Sequence, residues 1–271
     1  MKNELIRLAF QEDLQEVGDV TSQAIFSTET ATYKLFAKAS GILCGLELFQ
    51  EVFHYLDKEV KFLLYFSDGD EIVAGDLIAE LSGKVLSMLQ AERVALNFLS
   101  NLSAIASKTH KFVQAAAGQA KILDTRKTLP GYRELQKYAV RCGGGQNHRM
   151  GLYDMVMIKD NHHDAAGGIA AAVQKVRQSW QNRYRIEVET RNLAEVKAAL
   201  HSGADLIMLD NMSNDEMRQC VNYIAGRAEV EASGNMNLQR IAEVAETGVD
   251  FISVGALTHS VEAFDFSLRK R

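Results

Sequence analysis

Apolar positions change period twice along the chain. Before about residue 84 they come in short runs broken by turn residues. Tyr33 to Ala39 and Lys61 to Phe66 predict strands, while Ser67-Asp68-Gly69-Asp70 and Ala74-Gly75-Asp76 predict turns. Gly45 to Leu56 has helical spacing, and the stretch 69–88 reads as a plain hairpin with Lys84 near its tip. From Leu86 to about Val113 the spacing becomes helical through Leu89, Leu96, Leu99, Leu102 and Ile105. No charged residue falls between Val94 and Ser107, so the middle of this helix should be buried, with Arg93 on its edge.

Beyond that helix the pattern repeats as strand then helix. Strands are predicted near 121–125, 153–159, 185–190, 205–210, 228–233 and 250–255, which implies parallel strands covered by helices. Each strand ends in a group with chemistry: Arg126 and Lys127, Lys159, Glu189, Asp210, Ser233 and Gly255. A closed barrel gathers such ends at one face, whereas an open sheet would spread them along an edge. The expected fold is therefore α/β, a C-terminal parallel β/α barrel of TIM-like type with about six strands, irregular in form, beside a smaller N-terminal α+β domain. Expected boundaries are 1–104 for the N-terminal domain with its interdomain helix, joined by 264–271, and 105–263 for the barrel. In Arg185-Ile186-Glu187-Val188-Glu189, a period of two sends both carboxylates to one side. If Ile186 and Val188 face the helices, both acids face the barrel axis, where they need cations or a ligand. An internal salt-bridge network is the alternative.

Composition narrows the class. The 271 residues are 47% hydrophobic and 24% charged, with a formal net charge of -5, which fits a globular protein and not a general nucleic-acid or membrane-surface binder. The N-terminus is charged throughout, unlike a signal peptide, and no run of apolar residues is long enough for a membrane span. Cys44, Cys142 and Cys220 are odd in number and widely spaced, which favours neither a disulfide framework nor a structural zinc site. A cytoplasmic location is expected.

Against that negative balance, one stretch is cationic. Between Asp124 and His162 lie Arg126, Lys127, Arg133, Lys137, Arg141, Arg149 and Lys159, interleaved with Gly143, Gly144, Gly145 and His148. Glycine-rich backbone among cations suits a polyanion. Ser233-Gly234-Asn235 and Gly255-Ala256 end late strands before helices, a place where backbone amides receive phosphate. Asp160-Asn161-His162-His163-Asp164 is consecutive and does not have the spacing of a transition-metal site. Lys127 and Lys159 at strand ends also admit a Schiff-base aldolase, and a non-catalytic sensor is open if the acids are dispensable.

Several motifs occur in order: Gly18-Asp19-Val20-Thr21, Ala91-Glu92-Arg93, Leu96-Asn97, DTRKTLPG from Asp124, KYAVRCGGGQNHR from Lys137, and GLYDMVMIKDNH from Gly151. They continue with EVE from Glu187, SGADLIMLDN from Ser202, EASGN from Glu231 and TGVDFISVGALTHS from Thr247. Over nearly its full length the chain resembles the quinolinate phosphoribosyltransferases. The resemblance implies transfer of phosphoribose from 5-phosphoribosyl 1-pyrophosphate to quinolinate with loss of carbon dioxide, using Mg2+. It implies catalytic roles for Lys127, Glu189 and Asp210, the two acids also being candidates for magnesium. Substrate binding would fall to Arg93, Thr125, Arg126, His148, Arg149, Lys159, Ser233, Gly234, Asn235, Gly255, Ala256 and His259. It further implies a homodimer in which Arg93 enters the partner's site. Thr190-Arg191 departs from the family, which more often has an apolar residue followed by an acidic or polar one. A related protein encoded with molybdate transporters typically lacks the intact Ile158-Lys159-Asp160-Asn161-His162 present here.

Overall fold

The computed structural model describes residues 2–270. From the N-terminus, its elements are α1 (Lys2–Leu14), α2 (Val20–Ile25), β1 (Thr30–Ala37), β2 (Gly41–Ile42), α3 (Leu46–Leu56), β3 (Lys61–Leu64), β4 (Glu71–Ile72) and β5 (Leu77–Lys84). There follow α4 (Val85–Ala115), β6 (Lys121–Leu123), α5 (Arg133–Cys142), β7 (Val156–Ile158), α6 (Asp160–Ala166), α7 (Ile169–Trp180) and β8 (Ile186–Thr190). The chain ends with α8 (Leu193–His201), β9 (Leu206–Asp210), α9 (Asn214–Ile224), β10 (Glu229–Ser233), α10 (Leu238–Ala245), β11 (Phe251–Ser253), α11 (Ala256–His259) and β12 (Phe266–Lys270). They form two compact units, one of residues 1–108, 130–144 and 260–271, the other of 109–129 and 145–259.

The first unit holds an antiparallel sheet in the order β12-β1-β5-β3. Helix α3 buries Phe49 and Phe53, whose rings lie 5.0 Å apart and meet Phe62 of β3. The stretch 69–88 is not the hairpin expected. β4 pairs with β2, while β5 lies between β1 and β3, and Lys84 is the last residue of β5, directly before α4. The reason is burial: Ile78, Ala79 and Leu81 are fully buried, and such a strand needs a partner on each edge that a two-residue strand cannot supply. The turn before β5 is tied to the end of β1 instead, with Ala37 N donating to Asp76 O at 3.0 Å and Gly75 N to Ala37 O at 2.9 Å.

The second unit holds six parallel strands in the order β6-β11-β10-β9-β8-β7. From β7 to β11 spatial order follows the chain, yet β6, the earliest, pairs with β11, the latest. That arrangement requires the sheet to curl round, which makes it barrel-like, with its seam between β6 and β7. Strands are shorter than the sequence pattern implies. At 153–159 only Val156–Ile158 pairs, because Asp154 is used in a turn, accepting from Met150 N at 2.6 Å and Gly151 N at 3.1 Å.

Register in this sheet is reinforced by side chains placed just before strands. Asp205, ahead of β9, accepts from Ile186 N of β8 at 2.7 Å and from Arg177 Nη2 at 3.1 Å. Asp250, ahead of β11, accepts from Val230 N of β10 at 2.8 Å. Both follow a left-handed glycine, Gly203 (φ 78°) and Gly248 (φ 88°), that ends the preceding helix. The motif Gly-X-Asp thus stops a helix and pins the neighbouring strand. Replacing Asp205 with Ala leaves the Ile186 amide without this acceptor and should cost about 1–3 kcal/mol, read as a lower urea midpoint in equilibrium unfolding.

Candidate active site

A cavity of about 810 Å³ opens in the second unit, lined from the ends of all six parallel strands. Thr125, Arg126 and Lys127 follow β6, Lys159 follows β7, Glu189 and Asp210 lie on β8 and β9, Ser233 ends β10, and Gly255 and Ala256 follow β11. Gly234, Asn235, His148, Arg149 and His259 complete the lining contributed by residues singled out in the sequence. Arg93 is the exception. It is an exposed residue of α4 in the first unit and is not part of this lining.

The cationic part of the cavity is organised by Asp124, which is fully buried. Its carboxylate accepts from His148 N at 2.9 Å and from the Asn147 side-chain amide, fixing the loop that carries His148 and Arg149. Arg149 is anchored to Met155 O at 3.3 Å. Burial, and then the neighbouring charge of Arg126, hold the Arg149 pKa below the ordinary guanidinium value. An arginine stays charged regardless, so this pair of cations is an electrostatic demand for an anion between them.

Beneath it, His148 Nε2 lies 3.0 Å from Glu187 Oε2 and 3.3 Å from Glu231 Oε2, with the ring 6% exposed and both acids fully buried. Burial opposes charge on the ring, but contacts with Glu187 and Glu231 outweigh it and push its pKa up to about 10. The Arg149 amide, 2.7 Å from Nδ1, acts the other way, because a ring protonated on both nitrogens cannot accept it. Geometry fixes the proton on Nε2, facing the carboxylates. Burial, and then the charge of Glu231, raise the Glu187 carboxyl above the usual range. Both carboxyl oxygens of Glu187 and of Glu231 are buried, and their contacts with the ring are close ion pairs without hydrogen-bond geometry.

The period-of-two expectation for β8 holds, since Glu187 meets His148 while Glu189 lines the cavity. Glu189 Oε2 lies 2.6 Å from Lys159 Nζ, so without a ligand this acid and base neutralise each other. Asp210 Oδ2 accepts from Asn211 Nδ2 at 2.9 Å. Two hard carboxylates on adjacent strands suit magnesium, which takes few protein ligands and completes its shell with water and phosphate oxygens.

Opposite, the turn after β10 is built by close backbone approach. Gly234 has φ 95°, and a Cβ there would sit 2.3 Å from Asn211 Oδ1 and 2.9 Å from Asn211 N. Asn235 Nδ2 donates to Asn211 Oδ1 at 3.1 Å, and Arg240 holds Gly234 O at 3.3 Å and Met212 O at 2.7 Å. A Cβ on Gly255 would meet Lys127 Cδ at 3.0 Å and His259 Nε2 at 3.2 Å, so glycine lets both approach. Thr258 Oγ1 donates to Lys127 O at 2.7 Å.

Sequence reasoning did not single out Asp124, Thr258, Asn211 or Glu231 as site residues. A signal for Glu231 was present, because Glu229-Val230-Glu231 repeats the alternation of Glu187-Val188-Glu189. Asp124 and Thr258 act on backbone, which leaves no spacing to read.

Comparison with known proteins agrees with this geometry. Residues 105–269 match the family model described as quinolinate phosphoribosyl transferase, C-terminal domain, and residues 19–103 match its N-terminal domain. A probable nicotinate-nucleotide pyrophosphorylase [carboxylating] of Bacillus subtilis is 43% identical over 97% of this chain and 91% of its own length. The chloroplastic nicotinate-nucleotide pyrophosphorylase [carboxylating] of Arabidopsis thaliana is 45% identical over 98% and 81%. Among solved structures, NadC from Streptococcus pyogenes superposes with a TM-score of 0.96 at 43% identity, covering 99% of this chain and 96% of that one. The nicotinate-nucleotide pyrophosphorylase from Francisella tularensis gives 0.96 at 43%, covering 100% and 96%. The strand-end cavity and the two matched halves together place this chain in the quinolinate phosphoribosyltransferase family.

Proposed function

We propose that the chain catalyses decarboxylating phosphoribosyl transfer, converting quinolinate and 5-phosphoribosyl 1-pyrophosphate to nicotinate mononucleotide, pyrophosphate and carbon dioxide in NAD biosynthesis. The observation that carries this is one cavity lined by Arg126, Lys127, His148, Arg149 and Lys159 together with Glu189 and Asp210. A dicarboxylate and a pyrophosphate supply the negative charge that the cations demand, and a developing positive ribosyl centre supplies what the acids demand.

Arg126, Arg149, His148 and Lys159 hold quinolinate carboxylates and phosphates, with Thr125 beside them. Lys127 stabilises the departing pyrophosphate. The pyridine nitrogen forms its bond to the anomeric carbon as the carbon–oxygen bond to pyrophosphate breaks. The C2 carboxylate then leaves as carbon dioxide, its bonding pair stays on C2 beside the pyridinium charge, and a proton is taken up there. No covalent enzyme intermediate is needed, so the protein contributes position and electrostatics. Glu189 and Asp210 face the ribosyl carbon or its hydroxyls and would hold magnesium, directly or through water. When bound, magnesium would neutralise charge on the pyrophosphate. Ser233, Gly234, Asn235, Gly255, Ala256 and His259 receive the 5-phosphate. Catalysis belongs to the barrel, residues 105–263, whose start is supported by the family-model boundary between 103 and 105.

The working enzyme is a homodimer in which Arg93 completes the partner's cavity, consistent with its exposure on α4 and its place outside the lining described above. No helix among the described residues is long and apolar enough to cross a membrane. The three free cysteines suit the reducing cytoplasm proposed as its location.

Incubating the pure protein with quinolinate, phosphoribosyl pyrophosphate and magnesium should release carbon dioxide and nicotinate mononucleotide, while nicotinate in place of quinolinate should give neither. Product from nicotinate alone would reject the assignment. Glu189→Ala should lower kcat by about 100-fold or more with a smaller change in KM, as expected for loss of charge stabilisation in the transition state. Arg149→Ala should chiefly raise KM for quinolinate. Gly234→Ala should raise KM for phosphoribosyl pyrophosphate by about tenfold or more, because the backbone turn must open against Asn211. Mixing inactive Arg93→Ala and Glu189→Ala chains should restore part of the activity, and no recovery in confirmed heterodimers would reject the shared site.

A further inference from the structure

Two cysteines far apart in the sequence meet in the first unit. Cys44 follows β2 and is fully buried, whereas Cys142 is the last residue of α5 and is partly exposed. Their sulfurs and an Asp68 carboxylate oxygen lie within 4.8 Å of one another. The backbone around Cys44 is held by Ser103, whose hydroxyl accepts from Cys44 N at 3.0 Å and donates to Cys44 O at 3.1 Å. Tyr138, one turn before Cys142, donates to Asp68 Oδ2 at 2.8 Å.

Asp68 decides between two uses of this cluster. Oδ1 accepts from Gly45 N at 2.9 Å and Leu46 N at 3.0 Å, and Oδ2 accepts from Gly45 N at 2.9 Å as well as from Tyr138. The carboxylate is thus occupied at the start of α3, and a metal would have to pull it from those amides. The two sulfurs are left as the reactive pair, and they are not equivalent. Contact with the Cys44 thiol pulls the Cys142 thiol pKa down against the effect of burial, with the Tyr138 hydroxyl helping. Contact with Cys142 and burial push the Cys44 thiol up. Cys142 is the partly exposed sulfur that peroxide can reach and Cys44 the fully buried one beside it, so Cys142 is the nucleophile and Cys44 the resolving thiol.

We propose that Cys44 and Cys142 form a reversible dithiol–disulfide pair that responds to hydrogen peroxide. The Cys142 sulfur attacks a peroxide oxygen, the oxygen–oxygen bond breaks, and one water leaves to give a sulfenic acid. The Cys44 sulfur then attacks the Cys142 sulfur, the sulfur–oxygen bond breaks, and a second water carries off the Cys44 proton. The two sulfurs lose two electrons, and peroxide is reduced to two waters.

Cys220 serves as an internal reference, being 1% exposed and in contact with Met212. Reduced full-length protein would be treated with hydrogen peroxide, denatured in an alkylating agent and digested without reductant for peptide mass spectrometry. The expected product is a peptide pair linked between Cys44 and Cys142, reversed by dithiothreitol, with Cys220 alkylated. In Cys44→Ala, dimedone should trap Cys142, and irreversibly oxidised Cys142 should rise about tenfold over the wild type. The wild-type linkage map decides the matter even if that variant does not fold. Sulfinic acid on wild-type Cys142 with Cys44 still alkylated would overturn the proposal. So would one zinc per native chain that is lost in both Cys44→Ala and Cys142→Ala, which would make the cluster a metal site.

Discussion

Two fully buried carboxylates sharing one imidazole set the terms for the inside of the barrel. Glu187 and Glu231 lie on strands separated by β9, both within 3.3 Å of His148 Nε2. Burying an ion costs several kcal/mol by order of magnitude, about what removing one member of a buried pair also costs. The interior can hold these acids because the loop between α5 and β7 brings His148 against them, and that loop is in turn fixed by Asp124 at the end of β6. Stability comes from the opposite faces of the same strands, where Ile186, Val188, Ile207, Leu209, Ala232 and Ile252 are fully buried. The period of two thus gives each strand an apolar side that stabilises the fold and a polar side that carries the chemistry.

This division explains what was legible in the sequence. Strand positions and strand-end groups follow from alternation within a few residues, so Lys159, Glu189, Asp210 and Ser233 could be placed on one face before any coordinates. Pairing that depends on distant residues could not. The stretch 69–88 looks like a hairpin locally, yet β5 pairs with β1 and β3 because its buried side chains need neighbours on both edges. The same limit hid the proximity of Cys44 to Cys142, and it hid Thr258, whose hydroxyl meets the carbonyl of Lys127. Glu231 was readable by analogy with Glu189, but its partner His148 lies far from it in the sequence.

Thr190-Arg191 shows how a departure from family pattern can be absorbed. Thr190 is fully buried and turns its hydroxyl to Met208 O at 2.7 Å, which satisfies it within the β8–β9 pair. Arg191 is not among the residues lining the cavity and pairs with Glu195 at 2.9 Å in the first turn of α8. The strand-end electrostatics therefore remain with Glu189 and Lys159. An extra arginine near the site adds little field at the cavity when its charge is already matched by a neighbour on the exposed helix start.

The pair formed by Lys159 and Glu189 bears on how the cavity receives charged substrates. At 2.6 Å and partly open to water, it pairs a strand-end acid with a strand-end cation in the cavity lining. In the proposed reaction, a dicarboxylate near Arg149 would give the lysine a second acceptor, and developing positive charge on a ribosyl carbon would give Glu189 a second partner. Both groups hang from the ends of neighbouring paired strands, β7 and β8, which fix their backbone positions relative to each other. Catalysis by preorganised charge asks for groups whose partners can be replaced without rebuilding the site, and this ion pair meets that condition.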